Sequence, residues 1–541
     1  MAVVATCELH PGRGRPGARD KPGKLVQKMQ LTTVAILASE RWWGGAVVDA
    51  DLMPLGAGYA RDLHDLGGNQ GAGLLVSSRG RYVFSPQPFT VTVTDTELVI
   101  ECAVPVVVRG VPGGLREARH AAFIEEARPF AALNYELAER PIDPRLIGAP
   151  QYNLWVEQLF EPTQDGVVAY ARDAVAAGFP PGVLIIDARW HEEFGVWRFH
   201  SGRFPDPAAM VGTLKGLGFA TMLWIAPFVT SDTPTYRLLR DQGMLVMNSD
   251  GKPAIGEWWD GWSAALDLRN REANEWLVGQ LDGLCEQYGV DGFKFDGGDA
   301  AFYRRMGVLD AERMTMAWTN IGLRYPLAEY RESWNAFGLP LAQRQQDTRH
   351  SWGRGGLASL IPRALMQGLL GYPYNCADMV GGGEYRDFLA SVDGGTFDSE
   401  LFVRYAQLSS ALPMMQFSAA PWRMLKGEEL ALVRAAAQGF LELGTVRSEL
   451  AAEAFRTGEP IVRHLASAYP DGGYEYVDDE FLLGPNILIA PVIEPGARER
   501  RVIIPPGHWV DRATRQSVTG PREITRAVTL ADIPTWERAG G

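Results

Sequence analysis

Histidine and cysteine are scarce in this 541-residue chain, with eight and four copies. Cys7, Cys102, Cys285 and Cys376 are scattered without a CxxC pair. That excludes a zinc ribbon and disfavours a disulfide scaffold, so free thiols in a cytoplasmic protein are expected. No HExxH and no GxxxxGK[ST] occurs, leaving zinc proteolysis and phosphoryl transfer without a motif. No apolar run reaches the roughly 18–20 residues that span a bilayer, and no secretory signal opens the chain, so no membrane partner is expected. Positive charge is in deficit: 52 Lys and Arg against 65 Asp and Glu give a net charge of −13. No nucleic-acid partner that works through phosphate neutralisation is expected from that balance.

What remains is ordinary globular composition, 46% hydrophobic and 22% charged, long enough for several domains or one barrel with attachments. Residues 1–28, with Pro11 to Pro16 in their middle, read as a disordered basic tail or as sequence upstream of a start at Met29. Residues 29–145 read as an N-terminal β-sandwich. Short alternating runs at 82–84, 89–93 and 98–100 are separated by Gly, Pro, Asp and Ser. From 146 to 450 short apolar runs alternate with helical stretches, as βαβ units do. Residues 451–541 return to short strands at 481–483, 487–490, 492–493 and 501–504.

Six strands of the middle region are clear, at 182–187, 220–227, 290–296, 341–347, 372–378 and 412–418. Helices fit at 207–217, 271–288 and 356–370. The class is α/β: a (β/α)8 barrel, two of whose strands must be assumed, flanked by an N-terminal β-sandwich and a small C-terminal β-sandwich domain. Four of the six strands end in aspartate: Asp187, Asp296, Asp347 and Asp378. Any single Asp there could cap the next helix. Four together point to the active face, which in such barrels lies at the strand C-termini.

Sixteen Trp accompany them, nine of them in clusters at 42–43, at 190 and 197, at 258, 259 and 262, and at 334 and 352. They suit either a packed core or rings that stack on sugar faces. Two carboxylates amid aromatics at a barrel mouth suit glycosidic bond cleavage, one attacking the anomeric carbon and the other protonating the leaving oxygen. Lys294 and Asp296 lie two apart on one strand and share a face, so the ammonium keeps the carboxylate ionised, or the two form a structural pair. A metal bound by Asp187, Asp296, Asp378 and His350 is disfavoured by Lys294; neither metal nor cofactor is expected.

The stretch Val290-Asp291-Gly292-Phe293-Lys294-Phe295-Asp296 resembles the nucleophile strand of glycoside hydrolase family 31, the retaining α-glucosidases and α-xylosidases. So, in order, do Ile186 to Trp190, Phe204 to Pro207, Leu223 to Pro227, Asp378 to Gly382 and Leu488 to Val492. Ser359 to Pro362 and Gly371 to Tyr374 are most similar to the family's myogenesis-regulating glycosidase branch, which makes α-galactosides a candidate beside α-glucosides. The resemblance implies an exo-acting, retaining α-glycosidase on small α-glycosides or oligosaccharides. Asp296 would be its nucleophile. The usual Trp-x-Gly-Asp of the acid/base is replaced by Trp352-Gly353-Arg354-Gly355. Arg331 stands sixteen residues before Asp347, matching a family spacing, which assigns Asp347 as acid/base and Arg331 as a sugar contact. Asp187, Trp190, Trp224, Lys294 and Asp378 would complete the sugar pocket. Asp299 stands where the family usually has Glu. The Trp42-Trp43-Gly44-Gly45 segment would lend a loop from the sandwich.

Overall fold

A computed structural model describes residues 29–136, 139–392 and 397–540, so the tail expected over 1–28 lies outside the described residues. Eight parallel strands form the central sheet: β1 (Gln151–Asn153), β2 (Val183–Ile186), β3 (Ala220–Ile225), β4 (Gly292–Phe295), β5 (Leu327–Tyr330), β6 (Ala342–Arg344), β7 (Asn375–Cys376) and β8 (Gln416–Phe417). Each pairs with its successor from β1 to β7, and β8 pairs back onto β1. A parallel bridge from Cys376 to Met414, two residues before β8, closes the ring. This is the (β/α)8 barrel. All six strands read from sequence are present; the two assumed ones are β1 and β5.

Local chemistry sets the helices. The longest, Arg271–Tyr288, starts where the Asn270 side chain accepts the Glu272 N–H at 2.9 Å. It ends at Gly289, whose left-handed φ of +74° stops the helix. Ala273, Leu277, Leu281 and Leu284 recur at helical spacing and are buried on one face. Pro207 opens Pro207–Gly216 behind Asp206, whose carboxylate caps Ala209 N–H.

Before the barrel, two antiparallel sheets pack face to face. One orders Gln30–Ala35, Glu97–Cys102, Phe89–Val93 and Ala60–Asp62. The other holds Trp42–Ala46, Gln70–Ser77, Arg81–Phe84 and Val107–Gly110, and Ser333–Trp334 from the barrel joins it in parallel to Gln70–Ser77. The sandwich core includes Trp42, Leu75, Val83, Phe89, Val91 and Ile100, and Trp334 inserts into it. The strand pattern stops at Gly110. Leu115–Ala122 and Arg128–Asn134 are helical where extended structure was expected, because Leu115, Ala118, Arg119 and Ala122 recur at helical rather than alternating spacing on the buried face. After the barrel, a six-stranded antiparallel sheet is dominated by the long hairpin Glu499–Asp511 with Ser517–Ala527. Val492 and Ile493, expected as a strand, lie in a connection.

Candidate active site

A cavity of about 430 Å³ opens at the C-terminal ends of the barrel strands. Asp187, Lys294, Asp296, Arg331 and Asp347 line it. Five residues expected from sequence, spread over 161 positions, thus converge on one mouth.

Asp296 directly follows β4 and its backbone N–H still donates to Ile225 at 2.9 Å. Its Oδ1 accepts from Arg331 Nε at 3.0 Å and from Gly297 N–H at 2.8 Å; its Oδ2 accepts from Trp224 Nε1 at 3.0 Å. Burial opposes its charge, but Arg331, Lys294 and Arg344 outweigh burial and hold the carboxyl well below the usual range. Gly297 and Gly298 both adopt positive φ in the turn that follows. A Cβ on Gly298 would lie 2.5 Å from the Trp318 ring, so the turn depends on glycine.

Lys294, inward-facing on the same strand, donates from Nζ to Asp187 at 2.7 Å rather than to Asp296. Phe293 and Phe295 alternate to the other face and pack on Tyr325, Tyr330 and Trp318. Arg331 forks: Nε to Asp296, Nη2 to both Asp299 oxygens at 3.2 Å, and Nη1 to the Gly68 carbonyl at 3.1 Å. Burial and the neighbouring Asp296 charge push the Asp299 carboxyl up, against the pull of Arg331.

Sequence reasoning missed Arg344. It is buried at the end of β6 and shared by three carboxylates: Glu329 at 3.3 Å, Asp347 at 2.7 Å and Asp378 at 2.8 Å. Asp347 sits three residues past the strand with its side chain 42% exposed. Burial opposes its charge, but Arg344 and Lys294 prevail and hold it low. Burial and the Asp347 charge push Asp378 up to about 6.

Three expected pocket residues lie behind the lining. Asp378 is fully buried, with Oδ1 on Arg344 and Oδ2 accepting from Thr348 N–H, Thr348 Oγ1 and Gly383 N–H. Trp190 is fully buried among Trp197, His191 and Phe199, its Nε1 on the Trp224 carbonyl. Trp224 meets the site through its bond to Asp296 and an edge contact with the Trp259 ring, 6.0 Å between centroids. Of the flagged tryptophans, Trp259 lines the cavity and is 45% exposed, joined by Trp155. Trp42 and Trp43 pack inside. The sandwich does reach the mouth, but through Asp65, Gly67 and Gly68 instead. The Asn69 side-chain carbonyl accepts Gln346 N–H at 2.8 Å, and Gln70 Nε2 bonds the carbonyls of both Arg331 and Arg344. No motif announces such contacts, which join residues more than 260 positions apart.

Among the described residues no group of three or more His, Cys, Asp or Glu is placed to hold a metal ion. Cys102, Cys285 and Cys376 are free thiols. No described helix is long and apolar enough to cross a membrane.

The family model for the glycosyl hydrolases family 31 TIM-barrel domain matches residues 147–354, and the one for the family's C-terminal domain matches 458–541. The chain belongs to glycoside hydrolase family 31. The family 31 relative myogenesis-regulating glycosidase of Mus musculus is 32% identical over 71% of this chain and 54% of its own. Alpha-glucosidase 2 of Bacillus thermoamyloliquefaciens is 25% identical over 70% of this chain and 51% of its own. The chain thus spans about half the length of the curated relatives it matches. The family 31 dextranase of Flavobacterium johnsoniae, solved with glucose, superposes with a TM-score of 0.78 at 19% identity, covering 97% of this chain and 67% of that one.

Proposed function

We propose that this chain is an exo-acting, retaining α-glycosidase that releases a terminal α-linked hexose, galactose or glucose, by double displacement. The observation that carries the reading is Asp296: a buried carboxylate at the cavity floor, held ionised by three cations and an indole N–H. A nucleophile needs that state. Asp296 attacks C1 while Asp347 protonates the leaving oxygen, forming a glycosyl ester. Asp347 then deprotonates water, which displaces Asp296 and releases the sugar with its α configuration retained. Asp187, tied to Lys294, and Arg331 contact sugar hydroxyls; Trp259 and Trp155 offer stacking faces. With a sugar acceptor in place of water the same chemistry is α-transglycosylation.

One observation favours a second reading, a sugar-binding relative of impaired activity: the Arg344 ion pair holds Asp347 below the range of a good acid. The primary reading answers it, because bound substrate covers the exposed part of Asp347, and desolvation raises a carboxyl pKa. Initial rates on p-nitrophenyl α-galactoside, α-glucoside, α-xyloside and N-acetyl-α-galactosaminide, with Asp296→Ala as control, decide between them. Asp296-dependent turnover of the galactoside or glucoside is expected. Sugar binding without hydrolysis of any of the four would establish the second reading.

A further inference from the structure

Four basic side chains line the cavity: Lys294, Arg305, Arg331 and Arg344. Three are consumed by ion pairs with Asp187, with Asp296 and Asp299, and with Glu329, Asp347 and Asp378. Arg305 has no carboxylate within ion-pair distance among the described residues. It ends the helix Ala300–Arg305 that follows the Asp296 turn, and it is exposed. Its guanidinium lies 4.8 Å from the Phe302 ring centroid, and Phe302 also lines the cavity. A cation laid on an aromatic face is held in place yet keeps its outward N–H donors free.

Position decides which part of a substrate it meets. The buried groups Asp187, Lys294 and Asp296 form the floor, where an exo-acting enzyme seats the terminal sugar. Arg305, exposed on the same lining, belongs to its solvent side, where a leaving group would sit. Resting on the glycosidase reading above, we propose that Arg305 is a specificity-determining residue for an anionic leaving group, a sugar or aryl unit carrying a carboxylate. A planar carboxylate matches the guanidinium fork. Two acids on the lining work against this: Asp299, whose carboxyl feels the Arg305 charge but is already forked by Arg331, and Asp65 on the sandwich loop, whose carboxylate forms no ion pair among the described residues. The Asp65 carboxylate accepts Gly67 N–H at 2.9 Å, which fixes it on its own loop.

The test uses matched aryl glycosides, 4-carboxyphenyl and 4-carbamoylphenyl, in both α-galactosyl and α-glucosyl series. The two phenols are similar leaving groups and differ in charge. Wild type should favour the acid over the amide by about fivefold in kcat/KM, mostly through KM, as expected for a partly exposed charge pair. The preference should fall away in Arg305→Gln, persist in part in Arg305→Lys, grow in Asp65→Asn, and shrink in added salt. Equal rates on acid and amide, or a preference that survives Arg305→Gln, would overturn the assignment while leaving the glycosidase intact. No turnover of either aglycone in either series would overturn the glycosidase reading and the assignment together.

Discussion

At the scale of single residues, the two carboxylates of the proposed mechanism differ in how they are held, and that difference can be read out. Asp296→Ala should cut kcat by at least about 10⁴-fold, as removal of a nucleophile does. Sodium azide should then take the empty place and yield the β-glycosyl azide from an activated α-glycosyl donor. Asp347→Ala should lose about 10²–10⁴-fold on substrates with poor leaving groups and far less on activated aryl glycosides. Azide should give it the α-glycosyl azide, since the Asp296 ester still forms first. Product stereochemistry by proton NMR checks both, and the same anomer from both variants would refute the assignment. The pH dependence follows from the charges. Asp296 must be ionised, so the acid limb of kcat/KM tracks its depressed pKa. Lys294→Met removes one of the cations that depress it, so that limb should move to higher pH. An unmoved limb would mean that Arg331 and Arg344 set it without Lys294.

At the scale of elements, the loop carrying Gly68 holds Arg331 in place. Gly68 has φ +73°, and a Cβ there would lie 2.2 Å from Arg331 Nη1. Gly68→Ala should displace the guanidinium from Asp296 and lower kcat/KM by about 10²-fold. The fold should lose only about 1–2 kcal/mol. Steady-state kinetics beside a urea melt separates the two effects. The turn after β7 gives the converse case. Asp378→Asn puts an amide N–H₂ where one carboxylate faces four donors, and should cost about 1–3 kcal/mol in denaturant unfolding. These elements were unequally legible. β2, β3 and β4 read clearly because apolar runs end abruptly at Asp187, Pro227 and Asp296. β1 and β5 did not, because Gln151, Asn153 and Glu329 place polar side chains in the barrel interior, which breaks the apolar signal. Asp187, Lys294, Asp296 and Asp347 were singled out because each lies on or at the end of a strand that could be read; Arg331, just past the illegible β5, was singled out only by its family spacing from Asp347. Arg344 was passed over inside the run Gln343-Arg344-Gln345-Gln346, since its role depends on Glu329 and Asp378 from neighbouring strands.

At the scale of the whole molecule, the sandwich and the barrel share one structure rather than touching as separate bodies. Trp334, on the barrel's β5–β6 connection, is buried in the sandwich core. Asn335 Oδ1 accepts Gly73 N–H at 2.8 Å, Tyr372 Oη donates to the Gly71 carbonyl at 2.6 Å, and Gln367 Nε2 donates to Gln70 Oε1 at 2.8 Å. The loop that leads into that strand, between Ala60–Asp62 and Gln70–Ser77, then supplies the Gly68 carbonyl that completes the Arg331 fork. Loss of the sandwich would therefore remove the backbone that aims Arg331, not merely a neighbouring domain. Trp334→Ala tests this without touching the cavity lining. It should cost about 3–5 kcal/mol, as truncating a buried tryptophan does. On heating, proteolytic cleavage of the sandwich and loss of hydrolysis should share one midpoint, in wild type and, at a lower temperature, in the variant. A sandwich that is cut while hydrolysis continues would show that the barrel keeps Arg331 in place alone, and would reduce the Gly68 loop to a cover over the site.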